Sequence, residues 1–194
     1  MRKDIVLAGV GGQGVLCVAA IIAEAARREG LFVKQAEVHG MSQRGGAVQA
    51  FLRLADAPIR SELVGEGTAD MILGLEPLES LRYVHYLRPD GLMVTAIDPV
   101  ENIPDYPDRE RVLAMLAMVP HVIVVEARKL ARQAGTHLAA NTVIVGAAAH
   151  ALPLDPATIE DGLRSGFAPK GEKVVEANVA AFRAGLSAVS CVPL

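Results

Sequence analysis

The chain has 194 residues and a formal net charge of −3, and it is 52% hydrophobic with only 4% aromatic residues and no tryptophan. This length suits one α/β domain whose core is large enough to fold without disulfide or metal staples. Acidic and basic residues are interspersed, so no basic face for nucleic acid or membrane is indicated. The longest apolar runs fall well short of the roughly 20 residues that a membrane span requires.

The N-terminus and the cysteines indicate a cytoplasmic setting. Residues 1–4 run directly into a predicted strand and leave no room for a signal peptide. The two cysteines, Cys17 and Cys191, are far apart in the sequence. They form neither a disulfide framework nor a zinc or iron–sulfur motif, each of which needs clustered cysteines. Any iron–sulfur cluster would therefore belong to another chain.

The first 37 residues predict a β-turn-α-β unit. Residues 4–10 are an apolar run that predicts a buried strand, and the glycines after it predict a turn. Apolar residues at helical spacing then predict a helix that ends near Gly30, a residue suited to a helix C-terminus. Residues 32–36 predict the second strand.

The next segment departs from the alternation of strands and helices. Residues 37–46 form a polar loop with several glycines, and residues 47–54 predict a strand. A turn follows, and residues 59–64 could return antiparallel to that strand. We therefore expect a β-hairpin insertion near residues 47–64 that projects from the sheet.

Alternation then resumes and continues to a helical C-terminus. Asn141 is a candidate N-cap for an apolar helix over 142–151. Further strands are predicted over 71–75, 92–96 and 122–125, and further helices over 77–87, 108–118, 127–134, 157–164 and 171–186. The whole chain, 1–194, predicts a single Rossmann-like α/β domain. It has a doubly wound, mostly parallel sheet in a three-layer αβα arrangement, with a helical C-terminal part over 155–187.

The glycine turn after the first strand fits a phosphate-binding motif. Its G-x-G-x-x-G pattern stands between a predicted strand and helix, and its residues are Gly9, Gly11, Gly12, Gln13 and Gly14. Free N–H groups at such a helix start attract an anion, but each charge contributes only ~0.3–1 kcal/mol when exposed. Glu37, at the end of the second strand, could bind a ribose. Dinucleotide binding and a purely structural turn both stay open.

The loop of residues 39–46, HGMSQRGG, combines polar side chains with flexible glycines. It follows a strand at the end where doubly wound sheets bind ligands. Arg44 could clamp a carboxylate or phosphate with two hydrogen bonds, and His39 could donate, accept or shuttle a proton. Chemistry alone leaves a solvated loop with turn glycines equally open.

These two segments together resemble a known family. GVGGQGVL followed by EVHGMSQRGG is similar to the gamma-type domain of the 2-oxoacid:ferredoxin oxidoreductases, which includes the pyruvate/ketoisovalerate enzymes. The lead-in HGMSQ resembles that of the small (beta) subunit of the indolepyruvate type. The resemblance continues through the A-D-x-x-x-G-x-E stretch that ends at Glu76 and the N-x-x-x-x-G stretch that begins at Asn141. It extends to Lys170 and Asn178, and so covers essentially the whole chain.

The resemblance implies a reaction that this chain would not perform alone. Family enzymes oxidatively decarboxylate a 2-oxoacid with coenzyme A, and thiamine diphosphate stabilises the carbanion. Electrons pass through [4Fe–4S] clusters to ferredoxin. The indolepyruvate type converts arylpyruvates to aryl-acetyl-CoA and CO2. The chain has no thiamine-binding G-D-G stretch and no cysteine cluster. Thiamine diphosphate, magnesium and the clusters are therefore expected on a larger (alpha) subunit, and no cofactor or metal on this chain alone.

On this interpretation, the small subunit completes a heteromer and lines the entrance for the 2-oxoacid or coenzyme A. Arg44 would supply a fixed positive charge oriented by Gly45 and Gly46, while His39 and Gln43 would supply hydrogen bonds. No catalytic residue is assigned. Further candidates, from the dinucleotide fingerprint or the family pattern, are Glu37, Glu76, Asn141, Lys170 and Asn178. His137 is a weaker candidate for proximity to the site, and the isolated subunit could form a homodimer.

Two other functions remain open from the sequence. One is a self-sufficient NAD- or flavin-dependent oxidoreductase, although no second substrate domain and no obvious acid–base pair appear. The other is a binding module that uses the glycine turn to hold a phosphate-bearing ligand. Co-purification with a large, cysteine-rich subunit would separate both from the family interpretation.

Overall fold

The structure is a computed structural model that describes residues 1–39 and 45–189, apart from the side chain of His39. The strands are β1 (Arg2–Val10), β2 (Phe32–His39), β3 (Ala47–Ala55), β4 (Ala69–Gly74), β5 (Leu87–Ala96) and β6 (Val122–Val125). The α-helices are α1 (Val15–Arg28), α2 (Pro77–Arg82), α3 (Arg109–Leu116), α4 (Ala127–Gln133), α5 (Ala140–Ala148), α6 (Pro156–Phe167) and α7 (Glu172–Val189).

The six strands form one mixed sheet in the order β2-β3-β1-β4-β5-β6. Strands β1, β4, β5 and β6 run parallel, and β3 runs antiparallel to both of its neighbours. The described helices pack on both faces of the sheet, with α1 and α4 to α7 on one face and α2 and α3 on the other. The predicted three-layer α/β architecture is confirmed.

The predicted projecting hairpin is wrong. Residues 59–64 form no strand, and β3 pairs instead with β2 and is inserted between β2 and β1. The reason is burial: Leu52 and Phe51, on opposite faces of β3, are 0% and 4% exposed, which is typical of a strand inside a sheet. The segment after β3 is held by a side chain, because Arg53 Nη1 donates to the carbonyls of Ser61 and Leu63.

Two predicted helix boundaries also need correction. The helix that begins at Pro77 ends at Arg82, and after a short 3-10 helix β5 already begins at Leu87. Asn141 does not cap α5, which begins at Ala140 directly after another 3-10 helix. Its Oδ1 accepts the N–H of Thr142 at 2.9 Å instead. No helix in the described part of the chain is both long and apolar enough to span a membrane.

Helices α5 and α7 cross in backbone contact. A Cβ added to Gly146 would lie 2.0 Å from the carbonyl oxygen of Phe182, and one added to Gly185 would lie 2.0 Å from that of Val143. The same pair is joined by a buried hydrogen bond of 2.8 Å between Thr142 Oγ1 and an Asn178 side chain that is 5% exposed. Glycines are therefore required at this crossing.

We expect Gly146→Ala to destabilise the fold, because the new methyl group would force α5 and α7 apart. Overpacking a tight core typically reduces the free energy of unfolding by about 1–3 kcal/mol. We expect at least this loss, because the added Cβ would lie 2.0 Å from the Phe182 carbonyl oxygen. The matched control is Gly166→Ala in α6, where an added Cβ meets no atom within 4 Å. That change should be neutral or stabilising, because alanine favours helix by about 1 kcal/mol. Thermal unfolding of both variants measures the difference, and equal melting temperatures would contradict the crossing geometry.

Candidate functional site

The glycine turn is held in place by the side chain of Gln13. Its Oε1 accepts the N–H of Val10 at 2.7 Å, and its Nε2 donates to the carbonyl of Leu75 at 2.8 Å. Gln13 therefore ties the end of β1 to the end of β4, and its amide is occupied by backbone rather than free for a ligand. Gly9 serves packing, because a Cβ there would lie 2.9 Å from Val15 Cγ2.

The first-turn N–H groups of α1 have no hydrogen-bond partner among the described residues. Val18 N–H makes the first helical hydrogen bond, to Gly14 O at 3.1 Å, so the N–H groups ahead of it in the first turn have no acceptor within the helix. No side chain in the described part of the chain caps this helix. Gly14 has φ +86°, and a Cβ there would lie 2.5 Å from Asn141 Nδ2. The Asn141 side chain thus lies directly against the start of α1.

The loop after β2 meets the glycine turn. Gly11 N–H donates to Gly46 O at 2.8 Å, and Gly45 N–H donates to Gly11 O at 3.4 Å. Asn102 Nδ2 also donates to Gly45 O, at 3.0 Å. The predicted proximity of turn and loop is thus present at the Gly45–Gly46 end. Gln43, Arg44 and the side chain of His39 lie outside the described residues, so their roles stay predictions.

A cavity of about 360 Å³, here called the turn cavity, opens beside the glycine turn. It is bordered by Gly12 and Gln13, by the ends of β4 and β5, and by helices α4 and α5. Among the described residues that line it, Arg128, Arg132 and His137 are basic and Asp98 alone is acidic. Asp98 Oδ2 accepts the backbone N–H of Arg128 at 2.9 Å. The cavity therefore carries excess positive charge.

A second cavity of about 450 Å³, here called the helix cavity, lies between the 3-10 segment before α5 and the start of α7. Lys170 and Lys173 line it together with Phe167, and Lys170 Nζ lies 5.2 Å from the centre of the Phe167 ring. Leu138 and Asn141 border both cavities. The structure therefore brings the candidates Asn141, Lys170 and Asn178, and also His137, to adjoining cavities.

The structure does not bring Glu37 or Glu76 to these cavities. Glu37 pairs with Ala50 on β3, so the inserted strand separates it from β1 by one extra strand spacing, about 4.8 Å. Glu76 is 0% exposed and accepts the N–H of Glu79 at 2.7 Å, where it caps α2. The ribose role for Glu37 and a ligand-binding role for Glu76 therefore lack support in the described geometry.

Glu76 anchors the loop that reaches the glycine turn. Its Oε1 accepts the Tyr106 hydroxyl and, at 3.3 Å, the N–H of Val100. Burial and the hydrogen bond to Glu76 raise the pKa of Tyr106 well above its usual range. The neighbouring Glu79 is 1% exposed, and burial raises its pKa against the opposing charge of Arg82. These contacts fix both sides of the segment that carries Asn102.

We expect Tyr106→Phe to reduce the free energy of unfolding at neutral pH by about 1–3 kcal/mol, because Glu76 loses a buried donor. Since the raised pKa means that the folded state holds the phenol proton more tightly, this contribution is complete below about pH 10 and declines above it. Denaturant unfolding should show that the difference in free energy of unfolding between wild type and variant is smaller above pH 10 than at pH 7. Tyr86→Phe is the control, since that hydroxyl makes no hydrogen bond within the described residues. A difference in free energy of unfolding that grows with pH would contradict the hydrogen bond from Tyr106 to Glu76.

Three basic residues of the cavities were missed in the sequence: Arg128, Arg132 and Lys173. A signal for the first two was present, since α4 begins directly after β6, at the edge where parallel sheets bind ligands. Lys173 offered no comparable signal, because only the packing of α7 against α5 brings it to the site. Within residues 1–39 and 45–189, no group of three or more His, Cys, Asp or Glu side chains is placed to hold a metal ion.

The fold and this edge define a Rossmann-like α/β protein with a cavity lined by basic residues at the carboxyl ends of its parallel strands. Residues 4–188 match the family model described as pyruvate ferredoxin/flavodoxin oxidoreductase, so the chain belongs to that family.

Relatives of full length support this membership. The chain is 39% identical to the indolepyruvate oxidoreductase subunit IorB of Archaeoglobus fulgidus over 95% of this chain and 94% of that protein. It is 37% identical to the subunit of the same name from Pyrococcus horikoshii, over 95% of each chain.

Solved structures share the fold. The pyruvate oxidoreductase subunit PORC of Thermotoga maritima matches with a TM-score of 0.74 and 24% identity over 96% of both chains. The 2-oxoglutarate:ferredoxin oxidoreductase of Magnetococcus marinus, with 2-oxoglutarate, coenzyme A and succinyl-CoA bound, matches with a TM-score of 0.79 and 21% identity. That match covers 99% of this chain and 32% of the longer one.

Proposed function

We propose that this chain is the small subunit of a heteromeric 2-oxoacid:ferredoxin oxidoreductase of the indolepyruvate type, which converts arylpyruvates to aryl-acetyl-CoA. The indolepyruvate type is supported by the 39% and 37% identities to subunits of that name over nearly their whole lengths. The two-thirds of the Magnetococcus marinus chain that has no counterpart here supports a division of the reaction between subunits.

The residues of this chain do not fit the redox cofactors of such an enzyme. A [4Fe–4S] cluster needs four cysteine ligands, and this chain contains two cysteines. We assign thiamine diphosphate, magnesium and the clusters to a larger partner subunit, from which ferredoxin would take the electrons. The low cysteine count also favours a reducing, cytoplasmic location.

We assign to this subunit the binding of coenzyme A, and one observation carries the assignment. The turn cavity is lined by Arg128 and Arg132 and by the glycine turn that leads into α1, whose first-turn N–H groups have no partner among the described residues. A diphosphate fits this combination, because helix N-termini and arginine forks are both favourable partners for phosphate oxygens. Arg44, two residues before the Gly46 carbonyl that binds Gly11, would add a further charge near this edge.

A dinucleotide-dependent oxidoreductase is less well supported. A Rossmann dinucleotide site uses an acidic residue on the strand next to β1 for the ribose. Here β3 occupies that place, and its residue opposite Ala8 is Gln49. Because β3 contains no acidic residue, the strand beside β1 offers no carboxylate for a ribose.

The proposal predicts activity only in a complex. This chain should show no 2-oxoacid oxidation alone and should gain it when co-expressed with its large subunit, with indolepyruvate preferred over pyruvate and 2-oxoglutarate. Reduction of ferredoxin or of a one-electron dye measures the reaction. Turnover by the isolated chain, or tight NAD or flavin binding to it, would contradict the proposal.

Arg132→Ala should raise the KM for coenzyme A about tenfold, the loss expected for one charge-assisted contact to phosphate. The KM for the 2-oxoacid should stay unchanged. Lys129→Ala is the matched control, because Lys129 lies on the same helix but pairs with Glu126 at 2.6 Å instead of lining the cavity. If both variants change the KM for coenzyme A equally, Arg132 does not bind coenzyme A. If Arg44→Ala leaves the kinetic constants for both the 2-oxoacid and coenzyme A unchanged, Arg44 has no binding role either.

A further inference from the structure

We propose that the helix cavity receives the 3′-phosphate end of coenzyme A, and that Lys170 and Lys173 make this subunit select coenzyme A over dephospho-coenzyme A. This inference rests on the proposed function and deepens it. It assigns the two phosphate-bearing parts of one molecule to two separate groups of cations.

The two cavities adjoin. Leu138 and Asn141 border both, and the Asn141 amide also lies against Gly14 at the start of α1. Lys170 lies close enough to this helix to act electrostatically on the Cys17 thiol in its first turn, although burial dominates and raises the pKa of Cys17. One ligand could therefore extend from the glycine turn, past Leu138, into the helix cavity.

The charges of the second cavity are available for a ligand. Within the described part of the chain, Lys170 and Lys173 form no ion pair, and neither does Arg132 in the turn cavity. The acidic Glu176, one turn further along α7, pairs with Arg164 at 2.7 Å. Among the described residues that line them, the two cavities together present four arginine and lysine side chains, namely Arg128, Arg132, Lys170 and Lys173, against one carboxylate, Asp98. A ligand with two separated anionic groups matches this distribution.

The chemistry of each cavity indicates which phosphate it receives. The glycine turn lets a ligand closely approach the N–H groups at the start of α1, which suits a diphosphate in the middle of a molecule. Lysines act as mobile point charges, which suits a terminal phosphate monoester with a charge of about −1.5 to −2 at neutral pH. Between them, Leu138 is 77% exposed and offers an apolar contact for the adenine ring.

The test uses the reconstituted complex with coenzyme A and dephospho-coenzyme A as alternative acceptors. Wild type should favour coenzyme A by about tenfold or more in kcat/KM, as expected when charge-assisted contacts to the 3′-phosphate are lost. The double variant Lys170→Ala/Lys173→Ala should lower kcat/KM for coenzyme A to the dephospho-coenzyme A value and leave dephospho-coenzyme A turnover unchanged. Lys170→Arg/Lys173→Arg should restore the preference.

Arg132→Ala serves as the internal control. It should lower kcat/KM for both acceptors by the same factor and so preserve the ratio of the two values, because both acceptors carry the diphosphate. Two outcomes in an active complex would overturn the lysine assignment alone. One is a double variant with the wild-type ratio of kcat/KM for coenzyme A to kcat/KM for dephospho-coenzyme A. The other is a wild type that uses both acceptors equally well. A complex with no coenzyme A-dependent turnover would overturn the proposed function and this inference together. Unchanged thermal unfolding of the double variant confirms that the fold is intact.

Discussion

The pairing of β1 with β3 is the constraint on which the site depends. The ladder runs without interruption from Arg2 opposite Ala55 to Val10 opposite Ala47. It then continues past both strands into the bonds of Gly11 with Gly45 and Gly46. The end of the polar loop is therefore positioned against the glycine turn by strand register. A slip of one residue would turn every β3 side chain to the opposite face, and burial on both faces makes that costly.

The sheet separates two electrostatic environments. On one side of the carboxyl edge, cations that form no ion pair with any described residue border open cavities near α1, α4 and α7. On the face covered by α2, the buried Glu76 carboxylate accepts two backbone N–H groups and the Tyr106 hydroxyl, and the buried Glu79 carboxylate lies 3.3 Å from Arg82 Nε. The acids stabilise the frame and the cations stay exposed, which lets a molecule of net charge −3 present a positive edge. Overall charge is thus a poor guide to what this edge binds.

The sequence predicted the parts of the fold that depend on local patterns. The glycine turn, the strand before it and the helix after it follow from apolar spacing and glycine positions, and all three are present. The place of β3 does not follow, because residues 47–54 would read as the same apolar run in a projecting hairpin or inside the sheet. The predicted hairpin was wrong because long-range strand pairing determines the place of β3. Residues 61–63 are held by hydrogen bonds from Arg53 and form no second strand.

The same limit applied to the site. Asn141 was identified by resemblance and assigned a capping role, yet its side chain lies on Gly14 and between two cavities. Arg132 and Lys173 are distant in sequence and carry no motif, so only the assembled fold shows that they border adjoining cavities. Gln13 stands in the binding motif but ties two strand ends together. The glycine spacing in the sequence predicted the position of the turn, whereas the role of each side chain there depends on tertiary contacts.

The close crossing of α5 and α7 connects stability to function. Asn141 lies in the first turn of α5, and Lys173 lies in the first turn of α7, so the separation of these helices sets the distance between the two cavities. Because Gly146 and Gly185 bring the two backbones into contact, that separation has little freedom. The proposed function requires such rigidity, because charged side chains position a ligand well only when they do not move on binding. The glycines at the crossing therefore maintain the site without touching it.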